Sequence, residues 1–459
     1  MRMNTGLLPA LLLCVAALPK PAVAPKPPPV MPAGPASVLP TIDGEKYPAF
    51  RTVFRNGECD KHDRGGPGTG PINAAKRCYS CFRIPSIVKS FKTNTIHAFA
   101  EARRGDDTDP VPAFHGMITP GPVLCVDIPD TRLAYKRSVD GGKSWSPLVI
   151  LAESPGRCRG QPTPVVDDTT GTIFVAFADG CNPKAGPGVA PPGPMMISST
   201  DDGKTWGNAS KITCLHGIGQ NACVNGFMPS HVVPALGRGV VTYNHTSNGV
   251  RLFIPTGSGP MYSDNHGNDW SLGAYYDAGE NSITPFANST WNGFVMTMRC
   301  ENDRGVKGCE GAFAAIAFSR DLLTWTARTP LPGLNPWIQG DADQNQVLGV
   351  KGGLVLTHGG CTPGPKAPYC LNATTVAESG RRRLSGGHGM KMLHSHDGFT
   401  WKLLRTLWPF AGGYSATAPL ERDASGQVTR FATLFEAGGV FGGLSDDRAA
   451  LVFNNFTVE

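Results

Sequence analysis

One short pattern recurs along the chain and constrains its fold more than any other feature. It reads Ser-x-Asp-x-Gly-x-(Ser/Thr)-Trp, complete at Ser138-Val-Asp140-Gly-Gly142-Lys-Ser144-Trp145 and at Ser199-Thr-Asp201-Asp-Gly203-Lys-Thr205-Trp206. A third copy substitutes Asn265 and Asp269 between Ser263 and Trp270, and a fourth, Ser395-His-Asp397-Gly398-Phe-Thr400-Trp401, is one residue shorter. A degenerate copy, Ser319-Arg-Asp-Leu-Leu-Thr-Trp325, lacks the glycine. Starting at residues 138, 199, 263, 319 and 395, the copies lie roughly one propeller blade apart. The chemistry is that of a hairpin turn: Ser and Asp side chains bond turn backbone, Gly takes dihedrals other residues resist, and Trp packs into the blade. Flanking runs such as Thr172-Ile-Phe-Val-Ala-Phe177 have strand composition. The expectation is an all-β β-propeller with five blades marked by the turn.

Composition agrees with short strands joined by turns. Gly 57 and Pro 41 are numerous, and charged residues make up only 17% of 459. A net charge of +6 is mild at this length and does not argue for a nucleic-acid partner. Arg2 followed by the apolar run Leu7 to Ala17 reads as a secretory leader, too short to span a bilayer. The expected organisation is a signal peptide over 1–24, a Pro-rich linker over 25–45 and a propeller over 46–459, with no membrane span in the mature chain. Removing the leader removes Cys14 and leaves twelve cysteines, an even number for an oxidising compartment. Three pairs share one spacing and are expected to be bridged: Cys214 with Cys223, Cys300 with Cys309, and Cys361 with Cys370. Sequons at Asn208, Asn244, Asn288, Asn372 and Asn455 fit secretion.

The repeated turn is the Asp-box, and through it the chain resembles the Asp-box propellers. These include sialidases but also sorting receptors and other non-enzymatic modules, so the repeat speaks to architecture and leaves activity open. The rest of the resemblance is to sialidases, which implies a six-bladed β-propeller, five blades marked and one unmarked, with the site residues in the order that family shows. Phe82-Arg83-Ile84-Pro85 matches the FRIP motif, which makes Arg83 the first arginine of a carboxylate-binding triad. Ala98-Phe99-Ala100-Glu101-Ala102-Arg103 resembles the next strand of the lysosomal-type enzymes, where Arg103 would contact the sugar near its 4-hydroxyl. Ala278-Gly279-Glu280-Asn281-Ser282 and Met296-Thr297-Met298-Arg299 look like the Gly-x-Asn-Glu tract and the Asn-x-Arg that follows it. The Glu is displaced by one or two positions from the usual tract. The resemblance makes Glu280 the base beside a tyrosine and Arg299 the second triad arginine. The third arginine comes from the run Arg381-Arg382-Arg383, with Arg383 chosen narrowly over Arg382. Gly412-Gly413-Tyr414-Ser415 stands where the family has Ala-Tyr-Ser and makes Tyr414 the nucleophile.

The general acid has two candidates, because the segment from Arg104 to Leu124 carries an insertion. Asp109 keeps the family's spacing from Arg103. Asp127 keeps the spacing to Lys136-Arg137-Ser138 and is preferred because its register needs no gap; Asp106 and Asp107 are further alternatives.

This residue set suits a sugar with a carboxylate on its anomeric carbon. Planar guanidinium groups bind that carboxylate bidentately. A neutral phenol can approach where an attacking carboxylate would be repelled, and sialidases are the tyrosine exception among glycosidases. A free phenol ionises near pH ~10, so the tyrosine needs a base beside it. The resemblance therefore implies a retaining exo-alpha-sialidase acting on sialylated glycoconjugates, with no metal or organic cofactor. The alternatives are a trans-sialidase and a non-catalytic propeller that binds glycans or proteins.

Overall fold

The computed structural model describes residues 48–55, 58, 79, 81–103, 131–153, 158–180, 193–215, 223, 225–229, 232–243, 249–300, 309, 312, 314–334, 346–359, 387–438 and 448–458. The leader, the Pro-rich linker, Asp106, Asp107, Asp109, Asp127 and Arg381 to Arg383 lie outside them.

Six four-stranded antiparallel blades form a ring. Blade one is β2 (Cys81–Ser90), β3 (Thr95–Arg103), β4 (Thr131–Ser138) and β5 (Val149–Ala152), and β1 (Arg51–Arg55) precedes it. Blade two is β6 (Arg159–Asp167), β7 (Thr172–Asp179), β8 (Gly193–Ser199) and β9 (Ser210–Lys211). Blade three is β10 (Val240–Tyr243), β11 (Val250–Ile254), β12 (Met261–Ser263) and β13 (Ser271–Leu272). Blade four is β14 (Asn281–Ala287), β15 (Asn292–Arg299), β16 (Ala314–Ser319) and β17 (Thr329–Pro330). Blades five and six share a strand. In blade five, β18 (Gln346–Val350), β19 (Gly353–Gly359) and β20 (Gly387–Ser395) pair with the first part of the long β21 (Lys402–Arg422). The remainder of β21 starts blade six, followed by β22 (Val428–Gly438) and β23 (Arg448–Thr457). The fourth strand of blade six is β1, which pairs with β23 and joins the two ends of the ring. Inner strands of the blades are buried on both faces, as the unbroken burial of β3 and β19 shows.

The repeated turns join the third and fourth strands of blades one to five, and their chemistry is the same in each. Ser138 Oγ donates to Asp140 and accepts the Gly142 amide at 2.8 Å, while Asp140 accepts the Ser144 amide at 2.9 Å. Ser199, Asp201, Gly203 and Thr205 repeat the pattern. The degenerate copy closes the same turn: Leu322 takes the glycine place at φ +64°, its amide bonded to Ser319 Oγ at 2.8 Å. It matches the short copy at 395–401, where Gly398 sits at φ +85° and bonds Ser395 Oγ in the same way. Missing glycine therefore means a strained Leu, held by its burial in the core between blades.

The turns also lock neighbouring blades together. Trp206 stands edge-on to Tyr135 of blade one at 5.0 Å, and Trp145 edge-on to Phe453 of blade six at 5.5 Å. Gly203, at φ +72°, lies against the Tyr135 ring so closely that a Cβ would collide with it. Gly203→Ala is expected to destabilise the fold by about 1–3 kcal/mol through left-handed strain and overpacking. Urea unfolding measures this, and a neutral result would mean that the turn does not dock the blades.

The turn carboxylates also predict acid lability. Hydrogen bonds from Thr205 hold the Asp201 carboxyl down to about 2. At Asp140 and Asp397 burial pushes upward, but hydrogen bonds from turn residues outweigh it and leave both at about 2. Folded values below the unfolded carboxylate range contribute stability that is complete above pH ~4 and lost as pH falls from there toward 2. Melting temperature should drop across that window and stay flat just above it. An Asp201→Asn variant should show a shallower drop.

Cys214–Cys223 and Cys300–Cys309 are bridged as expected, and Cys81 and Cys158 are also in disulfides. These bonds are compatible with an extracellular location. Cys361 and Cys370 lie outside the described residues. No helix among the described residues is long and apolar enough to cross a membrane.

Candidate active site

The first strands of the blades surround the axis, and the site assembles where several of them begin. Glu280 immediately precedes β14, and Arg299 ends β15 opposite it, so hairpin pairing alone brings the two together. Their backbones are joined by the Arg299 amide and the Glu280 carbonyl at 2.9 Å, and Arg299 Nη1 reaches Glu280 Oε2 at 2.9 Å. Tyr414 arrives from another blade of the ring. It lies in β21 where that strand passes from blade five to blade six, inside a register shift between Gly412 and Ser415. Its hydroxyl donates to Glu280 Oε1 at 2.7 Å and receives a longer contact from Arg299 Nη1 at 3.4 Å.

Arg83 covers the other side of the phenol, its guanidinium carbon 5.3 Å from the ring centroid. It sits at a bulge in β2, where pairing with β3 shifts between Arg83 and Ser86. The cause is local. Pro85 disfavours a helical Ile84, and Ile84 instead takes φ +52°, an outlier for a β-branched residue. Two contacts hold it there. Its amide bonds Glu436 Oε1 at 3.1 Å, and its side chain packs with Leu236 and Tyr414. The same Glu436 oxygen accepts Arg83 Nε at 3.1 Å, with the carboxylate wholly buried.

Arg103 ends β3 beside this bulge. Its Nε and Nη2 bind Glu101 Oε2 at 3.0 and 2.5 Å; the two residues, two apart on a strand, face the same way. The other oxygen of Glu101 accepts the amide of Gln161 in blade two at 2.9 Å. Gln161 repeats the Ile84 device, a non-glycine residue at φ +57° before a proline, at a second bulge. Its Oε1 is buried without a hydrogen-bond partner among the described residues.

The structure thus brings Arg83, Glu280, Arg299 and Tyr414 together and places Arg103 across the first hairpin, with Glu101 between. Asp109, Asp127, Arg382 and Arg383 lie outside the described residues. Sequence reasoning gave no role to Glu436, Glu101 or Gln161. The signal for Glu436 was present as a lone acid in the apolar run Leu434-Phe435-Glu436-Ala437, since a buried carboxylate needs a partner.

A phenol bonded to a carboxylate and flanked by two guanidinium groups is thus built into a six-bladed propeller. Proteins similar to this chain are named sialidases. It is 25% identical over 232 residues to an exo-alpha-sialidase of Arthroderma benhamiae, a match covering 44% of this chain and 50% of the relative. An exo-alpha-sialidase of Aspergillus fumigatus is 26% identical over 219 residues, covering 41% and 47%. A sialidase of Bacteroides fragilis is 25% identical over 310 residues, covering 62% and 49%. The chain therefore spans about half the length of the curated relatives it matches. No family model matches it. Among solved structures, Trypanosoma rangeli sialidase superposes with a TM-score of 0.51 at 16% identity, over 88% of this chain and 58% of that one. The intramolecular trans-sialidase of Ruminococcus gnavus does so with 0.53 at 14%, over 83% and 95%. These structural likenesses establish the propeller fold.

Proposed function

We propose that this chain is a secreted exo-alpha-sialidase that removes terminal sialic acid from glycoconjugates with retention of configuration. The observation that carries the reading is the 2.7 Å hydrogen bond from Tyr414 to Glu280, with Arg299 touching both. Glu280 takes the phenol proton as the Tyr414 oxygen attacks C2 of the sugar. The bond from C2 to the glycan oxygen breaks, and that oxygen takes a proton from the acid, Asp127 in the preferred assignment and Asp109 in the other. The same residue, now a carboxylate, draws a proton from water, whose oxygen displaces the tyrosine. The phenol then recovers its proton from Glu280. Arg83 and Arg299, completed by Arg383 or Arg382, hold the sugar's carboxylate, and Arg103 lies at the far edge of the ring. The domain reading accompanies this proposal: residues 1–24 direct export, 25–45 link, and 46–459 form the catalytic propeller.

The test is release of 4-methylumbelliferone from its alpha-sialoside, followed by proton NMR of the freed sugar. Release is expected, with the alpha anomer appearing first. Binding of sialylated glycans without release from any sialoside would favour a non-catalytic propeller, and the beta anomer appearing first would overturn retention.

A further inference from the structure

Arg238 lies two residues before β10 on the way into blade three, and it is buried with no carboxylate partner among the described residues. Burial pushes its guanidinium down to about 9, with the like charge of Arg422 adding to the effect. A buried cation without a counter-ion is costly, and an apolar side chain of similar size would fill the same space without that cost. The fold nevertheless holds Arg238 with neutral acceptors. Nε donates to the Thr417 carbonyl at 3.1 Å, Nη1 to the Gly239 carbonyl at 3.3 Å, and Nη2 to Thr284 Oγ1 at 3.4 Å.

The positions of these acceptors matter. Thr417 follows Tyr414 by three residues on β21, and Thr284 follows Glu280 by four on β14. Leu236, two residues before Arg238, packs on both Tyr414 and Ile84. The Gly237 carbonyl between them accepts Ser86 Oγ, three residues beyond Arg83. The segments that bring Arg83, Glu280 and Tyr414 to the site therefore converge around Arg238, about 10–14 Å of strand from the reacting groups. Thr284 is itself fixed, because its hydroxyl also accepts the Gly349 amide from blade five at 2.8 Å.

We propose that Arg238 is a positioning residue, whose guanidinium sets the spacing between the strand bearing Tyr414 and the strand that follows Glu280, so that phenol and carboxylate meet at proton-transfer distance. This rests on reading Tyr414 as nucleophile and Glu280 as base. Arg299 cannot set that spacing alone, since it shares a hairpin with Glu280 and reaches Tyr414 only at 3.4 Å.

The test compares wild type, Arg238→Met, Arg238→Lys and Thr284→Val on the fluorogenic sialoside, with folding checked by thermal melts. Arg238→Met is expected to lower kcat about tenfold or more, because small misplacements of reacting groups are costly. KM should stay within about threefold, because the carboxylate clamp remains. Arg238→Lys, which keeps the charge and three donors, should recover part of kcat. A folded Arg238→Met with wild-type kcat, a loss confined to KM, or a Lys variant no better than Met would each overturn the proposal. If Arg238→Met does not fold, Thr284→Val decides, with an expected kcat loss of about threefold at unchanged KM and overturn by a wild-type kcat. A wild type inactive on sialosides would defeat the functional reading instead. The crystal structure of a variant then judges Arg238 independently: Arg238→Met, or Thr284→Val where it does not fold, should lengthen the Tyr414–Glu280 contact, and retention at 2.7 Å would overturn the proposal.

Discussion

Tyr414→Phe is expected to lower kcat on the fluorogenic sialoside by about a thousandfold or more while leaving KM little changed. The substitution deletes one oxygen. It removes the atom that would bond the anomeric carbon and the donor of the 2.7 Å hydrogen bond to Glu280, but retains the ring beneath Arg83. The sugar's carboxylate should still find Arg83 and Arg299, so ground-state binding survives where chemistry does not. Glu280→Gln should cost less alone, because the amide cannot take the phenol proton but the phenol remains. The double variant should be no slower than Tyr414→Phe within a few fold, since a base without its nucleophile has nothing to activate. Additive losses would mean that Glu280 acts on something other than Tyr414. Equal rates for wild type and Tyr414→Phe would remove the phenol from the reaction altogether.

The parts of this molecule that were legible in the sequence are those whose chemistry closes within a few residues. Each Ser-Asp-Gly turn spells out its own hydrogen bonds inside seven or eight positions, so five blades announced themselves, and even the Leu322 copy kept its Ser and Asp. Glu280 and Arg299 were readable as a pair because one hairpin joins them. The partners of Arg83 were not. Its carboxylate is 353 residues away, and Arg238 meets Thr417 across 179, so neither contact leaves a local trace. Burial offered the one general clue, because a charged side chain inside an apolar strand must find a partner wherever the ring brings one. The insertion after Arg103 blurred the acid in a different way: it separated two spacings that a shorter loop would have made one, and left Asp109 and Asp127 in competition.

Glu436→Gln should weaken substrate binding and stability together, and the size of each effect follows from what Glu436 holds. Its carboxylate is wholly buried and serves Arg83 Nε and the strained Ile84 amide with one oxygen. The oxygen of the amide side chain can still accept from both, but the substitution withdraws the negative charge that faces the Arg83 guanidinium. Breaking a buried pair by neutralising one partner typically costs about 3–5 kcal/mol, most of it from the charge left behind. Part of that cost is avoidable here, because Arg83 has the Tyr414 ring against it; a loss of about 2–4 kcal/mol is therefore the expectation. Arg83 would turn away from its present axis, and KM should rise about tenfold or more as the sugar loses one arm of its carboxylate clamp. Glu436→Ala should lose more stability than Gln, because the Ile84 amide then loses its acceptor and only packing on Leu236 and Tyr414 holds its φ of +52°. Equilibrium unfolding and steady-state kinetics on the same preparations separate the two effects. A Gln variant as stable as wild type, with unchanged KM, would show that Arg83 keeps its place without Glu436.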